Sequence, residues 1–597
     1  MAVWEKRDIQ RITEMSWTSG IAQDKYYWVE HSFNYSENIN CDDEMHGIKL
    51  ATKVTSDTSN WLHDCQLVDV WDNGILALPL DNTGRKVKLF EWDETNWFVI
   101  KDSNAWPTPS YADSEWDSKI ASTAPWVVFQ DYFWYWVSVE DSYNVGSFIT
   151  WLCKIPITPQ AWTSFDVIAP YDHVGITDED IMNPNDLAWP MFWQITAILN
   201  YNNTRLIVGT DTWEVFCYYP ELEKLYNDEH PGSPETTGKV WWLKIMQYEP
   251  GCAVIALTCD FNFLKVWVRN EWWETKVYYY QGNNNLRSTY VYDLVDLSDQ
   301  KVLRVYPVNG MDYYVVTKDG TDWYVDLYKL YGKTPYLLIN ERAGLYNLDV
   351  NNKTPMFVWP TSVSAAYQSW SWYVADVFWV WKWNITNTRT DKYDKGYMKW
   401  KINNITYTKA SRGNIPRWLC IHKNILYVSY KNRICVMRTY DTWLDGYQER
   451  GILISRELEW PHWGSVTKML ENLRLHYELN PKTTHNWKIE VYVSPNNLWK
   501  YIIPEWTGLP EDLNDYSDDD YDGWYKVMEI DQWNINSRVE EQWRMNEYNG
   551  FNFDWQTITY AIVITRGSET HATPIVREIT MLYTPKGKAN NTFNLHN

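Results

Sequence analysis

One stretch of the chain has the residue types and spacing of a cation loop. In Asp518-Asp519-Asp520-Tyr521-Asp522-Gly523-Trp524-Tyr525-Lys526-Val527-Met528-Glu529, carboxylates fall at positions 1, 3 and 5 (Asp518, Asp520, Asp522). Gly523 stands at position 6, Trp524 at position 7 and Glu529 at position 12. Alternating carboxylates let such a loop curl around a hard cation, position 7 adds a backbone carbonyl, and the glycine makes the sharp turn. Ca²⁺ is therefore the cofactor the sequence suggests, and no other is implied. The flanks read as strands, not helices, and a run of Asp also makes an ordinary solvated hairpin tip, so both readings stand. A second acidic loop, Asp178-Glu179-Asp180 to Asp186, lacks the spacing and reads as solvated.

Other chemistry is sparse. There is no H-E-x-x-H and no G-x-S-x-G. Gly232 to Lys239 resembles a phosphate loop, but it is one residue too long and Val240 stands where Ser or Thr is needed. Ser465-Val466-Thr467-Lys468 fits S-x-x-K, a pattern common by chance. The eleven His show no ligand spacing, and the eight Cys contain no C-x-x-C, so they read as small buried hydrophobes. Carboxylate pairs for glycoside cleavage are recognised by distance in space, not in sequence. The expectation is a chain that is not an enzyme.

The elements that would carry these residues are strands. From about 66 to 445 an apolar run, a tight polar turn and a second apolar run recur every 40–60 residues. Tyr313–Thr317 meets Asp319-Gly320 and then Trp323–Leu327; Arg205–Val208 turns into Glu214–Cys217; Ile425–Tyr430 turns into Ile434–Met437; Val127–Phe129 turns into Tyr135–Val137. Such hairpins at that period predict a β-propeller of six to eight blades, seven being the best fit, with a pair of stacked sandwiches as the alternative. After 446, Leu473, Leu475 and Tyr477 alternate with polar residues, as do Ile489, Val491 and Val493, then Ile558, Tyr560, Ile562 and Ile564, and finally Ile579, Met581 and Tyr583. Period-two alternation means sheets with one face on a core, hence a C-terminal β-sandwich. The expected organisation is all-β: residues 1–65 an arm and lead-in strand, 66–445 the propeller, 446–585 the sandwich, 586–597 a polar tail. The best helical stretch, Arg538 to Met545, is short.

The balance of Lys+Arg 54 against Asp+Glu 77 gives a net charge of -23, which opposes a tight grip on nucleic acid. No apolar run approaches the length of a membrane span, and no secretion signal follows Met1. The alphabet itself is skewed: 41 Trp against 25 Gly, where a chain this long averages roughly 42 Gly. Trp213, Trp443, Trp379 and Trp17 stand in stretches where turn chemistry asks for Gly. One reading is a source genome that decodes UGA as Gly, with those codons rendered as Trp. The other is abundant Trp serving as core or as sugar-stacking surface.

The layout resembles the β-propeller proteins of phage tails, above all the tail nozzle (tail tubular B-like) family of short-tailed phages. The resemblance rests on Ser19-Gly20-Ile21, Ser36-Glu37-Asn38-Ile39-Asn40 and Gly47-Ile48-Lys49-Leu50 leading into the first blade, on the hairpin repeat, and on a sandwich carrying Trp487–Ser494 and Thr573–Ile579. It implies a structural tail subunit in the virion, assembled in the host cytoplasm. Copies would stand in a ring of six, contact other tail or portal-adaptor proteins, and let DNA pass without holding it. The alternatives are a carbohydrate-binding or glycan-cleaving propeller, and a receptor-binding tail protein.

Overall fold

The computed structural model describes residues 9–15, 17, 32–41, 47–57, 62–69, 75–79, 88–93, 97–100, 126–130, 132–140, 148–156, 195–229, 242–260, 263–281, 290–308, 311–317, 325–339, 357–360, 371–375, 379–384, 395–401, 416–422, 425–438, 446–458, 467–479, 486–495, 524–533, 539–540, 543–549 and 554–586. Five short strands come first: β1 (Gln10–Glu14), β2 (Phe33–Glu37), β3 (Ile39–Asn40), β4 (Lys49–Leu50) and β5 (Thr55–Asp57).

Seven small antiparallel sheets follow. Blade one holds β6 (Cys65–Asp69), β7 (Ile75–Pro79), β8 (Lys88–Asp93) and β9 (Trp97–Ile100); blade two holds β10 (Trp126–Phe129), β11 (Tyr132–Glu140) and β12 (Phe148–Pro156). Blade three holds β13 (Ile195–Tyr201), β14 (Arg205–Thr210), β15 (Glu214–Tyr218) and β16 (Trp242–Gln247), with helix α1 (Pro220–Glu229) between its last two strands. Blade four is β17 (Cys252–Cys259), β18 (Leu264–Asn270), β19 (Thr275–Gln281) and β20 (Tyr290–Leu297). Blade five is β21 (Lys301–Val308), β22 (Met311–Thr317), β23 (Val325–Tyr331) and β24 (Thr334–Ile339). Blade six is β25 (Phe357–Pro360), β26 (Ser371–Ala375), β27 (Trp379–Asn384) and β28 (Lys395–Lys401). Blade seven joins β29 (Pro416–His422), β30 (Ile425–Tyr430) and β31 (Ile434–Arg438) to β5.

The first strands of neighbouring blades run side by side from β10 to β29, and β29 lies beside β6, so blade seven packs on blade one. This is the predicted β-propeller. The four hairpins read from the sequence are all paired, with Ile207 opposite Cys217, Val127 opposite Trp134, Val315 opposite Leu327 and Val428 opposite Cys435. Apolar side chains from adjacent blades fill the space between them: Val254, Leu257 and Val266 meet Ala197, Ile207 and Val215, while Trp267 and Val277 meet Val302 and Tyr314. At Gly209 blades three and four approach closely, since a Cβ there would overlap a Val254 methyl.

The remaining strands are β32 (Arg450–Ser455), β33 (Thr467–Glu478), β34 (Lys488–Pro495), β35 (Tyr525–Asp531), β36 (Val539–Glu540), β37 (Trp543–Asn549), β38 (Asp554–Trp555), β39 (Ile558–Thr565) and β40 (Ile575–Lys586). They form two sheets, β1-β40-β33-β37-β36 with β38 on β33, and β2-β32-β39-β34-β35. The alternating residues meet between them: Leu473, Leu475 and Tyr477 from one sheet pack on Ile489, Val491, Ile562 and Ile564 from the other. The second sheet is also covered behind, where Tyr35, Ile454, Tyr492, Trp524 and Val563 cluster. That is more burial than alternation alone predicts.

Three sequence expectations change. The sequence reads residues 1–65 as an arm and lead-in strand; in the structure β1 pairs with β40, β2 with β32, and β5 supplies the outer strand of blade seven. Their partners are hundreds of residues away, so no local pattern announces the pairing. Within the stretch Arg538 to Met545 the described residues are strand, not helix: they form β36 and the start of β37, which pair through Glu540 and Trp543. Among the described residues the helix is α1, which begins at Pro220, whose fixed φ suits a first helical position. Trp17 is no turn residue: it is 1% exposed, and its indole N–H donates to Tyr560 Oη at 2.8 Å.

Candidate functional site

Asp518, Asp520, Asp522 and Gly523 of the cation loop lie outside the described residues. Trp524 and Glu529 are described and sit apart in role. Trp524 is buried behind the sandwich sheet. Glu529 stands on β35 opposite Glu490 of β34, and the pair is neutralised by Lys488 and Lys526. The hydrogen bond from Lys526, helped by Lys488, holds the Glu529 carboxyl below its ordinary range. Any ion would have to compete with two ammonium groups for that carboxylate. Among the described residues no group of three or more His, Cys, Asp or Glu is placed to hold a metal. Lys468 of the S-x-x-K stretch is buried, donates to the Gln556 carbonyl at 2.7 Å and covers the Trp555 ring, so it is a structural cation. The phosphate-loop-like segment and the second acidic loop fall outside the described residues.

The propeller has two unlike faces. On the face bearing the turns between first and second strands, Lys265 of β18 reaches Asp312 of β22 at 3.2 Å, with both side chains nearly sealed from solvent. Thr258 donates to the same carboxylate oxygen at 3.1 Å, and Asp260 lies 3.5 Å from the ammonium. Burial raises the Asp312 pKa; Lys265 and Thr258 pull it back without cancelling the shift. This is a buried strut joining blades four and five.

The other face carries the blade-to-blade link at Glu249-Pro250-Gly251 and the turns between second and third strands. Here a cleft of about 430 Å³ is lined by Tyr248, Glu249, Cys252, Glu271, Trp272 and Glu274. Trp272 is 80% exposed. The Tyr248 ring lies 5.0 Å from the Tyr278 ring, tilted by 46°, and its hydroxyl donates to Tyr280 Oη at 2.9 Å. Burial, then Tyr280, raises the Tyr248 pKa well above the phenolic range, so it stays a neutral hydroxyl. Burial and then Glu249 push the Cys252 thiol up, which leaves it protonated and a poor nucleophile. The cleft thus offers carboxylate acceptors, the Lys276 ammonium and an aromatic face, a set suited to binding polyhydroxylated molecules. No sequence motif announced it, because its residues come from one link and one turn of adjoining strands.

A third feature is the outer strand of blade four. On β20, Tyr290, Val291, Tyr292 and Leu294 are 57%, 51%, 58% and 44% exposed. Leu337 on the outer strand of blade five is exposed as well. Among the described residues the strand pairs only with β19, and its charges are Asp293, which Lys333 binds, and Asp296.

No family model matches the chain, and no curated protein matches it. Among solved structures it is similar to the exo-β-1,3-galactanase of Phanerochaete chrysosporium with galactose, at 8% identity and a TM-score of 0.29, over 87% of this chain and 95% of that one. A variant of the same enzyme with β-1,3-galactotriose matches at 8% identity and a TM-score of 0.28, over 89% of this chain and 100% of that one. Both neighbours are enzymes by name, and the sequence-based expectation of a chain that is not an enzyme is corrected on that finding.

Proposed function

We propose that the chain is a structural subunit of a phage tail, standing in a ring of its own copies. The observation that carries this reading is the edge of β20, which among the described residues has β19 alone as a strand partner. Natural proteins blunt exposed edge strands with Lys, Pro, bulges or a covering element, because unpaired N–H and C=O groups recruit other chains. β20 carries four exposed apolar residues and neither Lys nor Pro. Such an edge suits a protein whose neighbour covers it, and a head-to-tail contact repeated around an axis closes into a ring. Six copies and passage of DNA are the further expectations, with the net charge of -23 favouring a wall that repels phosphate.

The test is the mass of the assembled species together with its image by electron microscopy. Rings of six are expected. Tyr292→Lys with Leu294→Lys should release monomers whose melting temperature is unchanged. A wild-type chain that stays monomeric at every concentration ends the reading. DNA binding by the ring should be weak and insensitive to salt; tight binding that falls steeply with salt would contradict a conduit.

A second reading, a glycan-binding propeller, is favoured by the cleft beside Trp272. Calorimetry against soluble oligosaccharides, β-1,3-galactooligosaccharides among them, tests it. Binding that drops about tenfold or more in Trp272→Ala supports it, since an aromatic platform contributes about 0.5–1.5 kcal/mol beyond its buried area. Product release from the same oligosaccharides would make the cleft catalytic.

A further inference from the structure

Two tryptophans occupy backbone positions built for glycine. Among the described residues, eight non-glycine residues have positive φ: Asn38, Asp64, Gln130, Asn202, Asn203, Trp213, Trp273 and Asn486. Five are Asn or Asp, the side chains that tolerate this region. Trp213 at φ 60° and Trp273 at φ 67° do not belong to that group.

Their settings match. Each stands between the second and third strands of its blade, Trp213 in blade three and Trp273 in blade four. The Trp273 N–H donates to the Asn270 carbonyl at 3.1 Å, and the Asn270 N–H donates to the Glu274 carbonyl at 3.1 Å. That is a turn followed by a left-handed residue before the strand resumes, where Gly is favoured. Trp213 follows Thr210-Asp211-Thr212 in the same way, and Glu214 N–H returns to Thr210 Oγ1 at 3.3 Å. Glycine does fill left-handed positions elsewhere in the chain, at Gly251, Gly332 and Gly446.

The side chains do not compensate. Among the described residues the buried indole N–H of Trp213 finds no acceptor. Trp273 only lies under Arg269, whose guanidinium sits 4.2 Å from the ring and already donates to the Val302 carbonyl at 2.8 Å. By contrast, Trp267 is fully buried and packs at 5.4 Å on Tyr314.

We propose that positions 213 and 273 are glycine in the protein as its own host makes it, their codons being UGA read as Gly. Trp17 and Trp267 are true tryptophans. The experiment has two parts. The codons are read, and the peptides spanning 205–218 and 264–276 from natively produced protein are weighed; UGA and the mass of Gly are expected at 213 and 273, and UGG at 17 and 267. UGG with the mass of Trp at 213 and 273 overturns the proposal. Separately, Trp213→Gly in recombinant chain should raise Tm by roughly 2 °C, while Trp267→Gly lowers it. A fall in Tm for Trp213→Gly overturns the conformational argument.

Discussion

At the scale of residues, the Lys265–Asp312 strut shows how burial changes the worth of a charge pair. Removing one partner leaves the other uncompensated, so Lys265→Met should cost about 3–5 kcal/mol. Lys265→Met combined with Asp312→Leu should recover most of that, as followed by thermal melts. The pH dependence has a definite sign. Asp312 holds its proton to higher pH in the fold than in the unfolded chain. Its contribution is therefore fullest below the ordinary carboxyl range near 4 and falls as pH rises through the raised folded value. Without Lys265 the folded value climbs further, so the deficit of Lys265→Met should widen toward neutral pH and shrink toward acid. A deficit that is flat with pH would mean that Lys265 acts by packing alone. Neither partner was legible in the sequence: Lys265 and Asp312 belong to different blades, and only the packing of blade four on blade five brings them together.

At the scale of elements, the hairpins were legible because side-chain alternation and turn residues act locally. Asn202 and Asn203, both left-handed, make the turn between β13 and β14 from their own chemistry. Helix α1 was not legible, for Pro220 to Glu229 is one polar insertion in a long run of strands and its only signal is the proline at its start. Contacts between blades leave a fainter mark. Gly209→Ala should push β14 away from Val254 and cost about 1–3 kcal/mol through overpacking. Differential scanning calorimetry would show this as a lower melting temperature; no change would mean that blades three and four shift apart freely. The closing strand offers another test. Burial pushes the Cys435 thiol up to about 12, and β5 lies against it, with Ser56 opposite Cys435. Replacing Thr55, Ser56 and Asp57 by prolines should strip that strand and make Cys435 react with a thiol reagent, while Cys217 in blade three stays protected. Equal protection of both would show that β5 is dispensable for closing blade seven.

At the scale of the whole molecule, the architecture was legible where repetition and alternation made it so, in the blades and the sandwich core. What stayed hidden is that the propeller lies within the sandwich in chain order: β1 and β2 come before it, β32 to β40 after it. Arg11 and Glu578, bonded at 3.0 Å, are 567 residues apart in sequence. This nesting sets a timetable for birth on the ribosome. At about 5–20 residues per second, β1 emerges roughly 30–110 s before its partner β40 exists. During that interval the blades can form in succession, but β5 waits unpaired for β31, β2 for β32 and β1 for β40, exposed to proteases and chaperones. Nascent chains halted before residue 430 should therefore lose their first forty residues to brief proteolysis while blades three to five resist, and only release of the full-length chain should confer protection on β1.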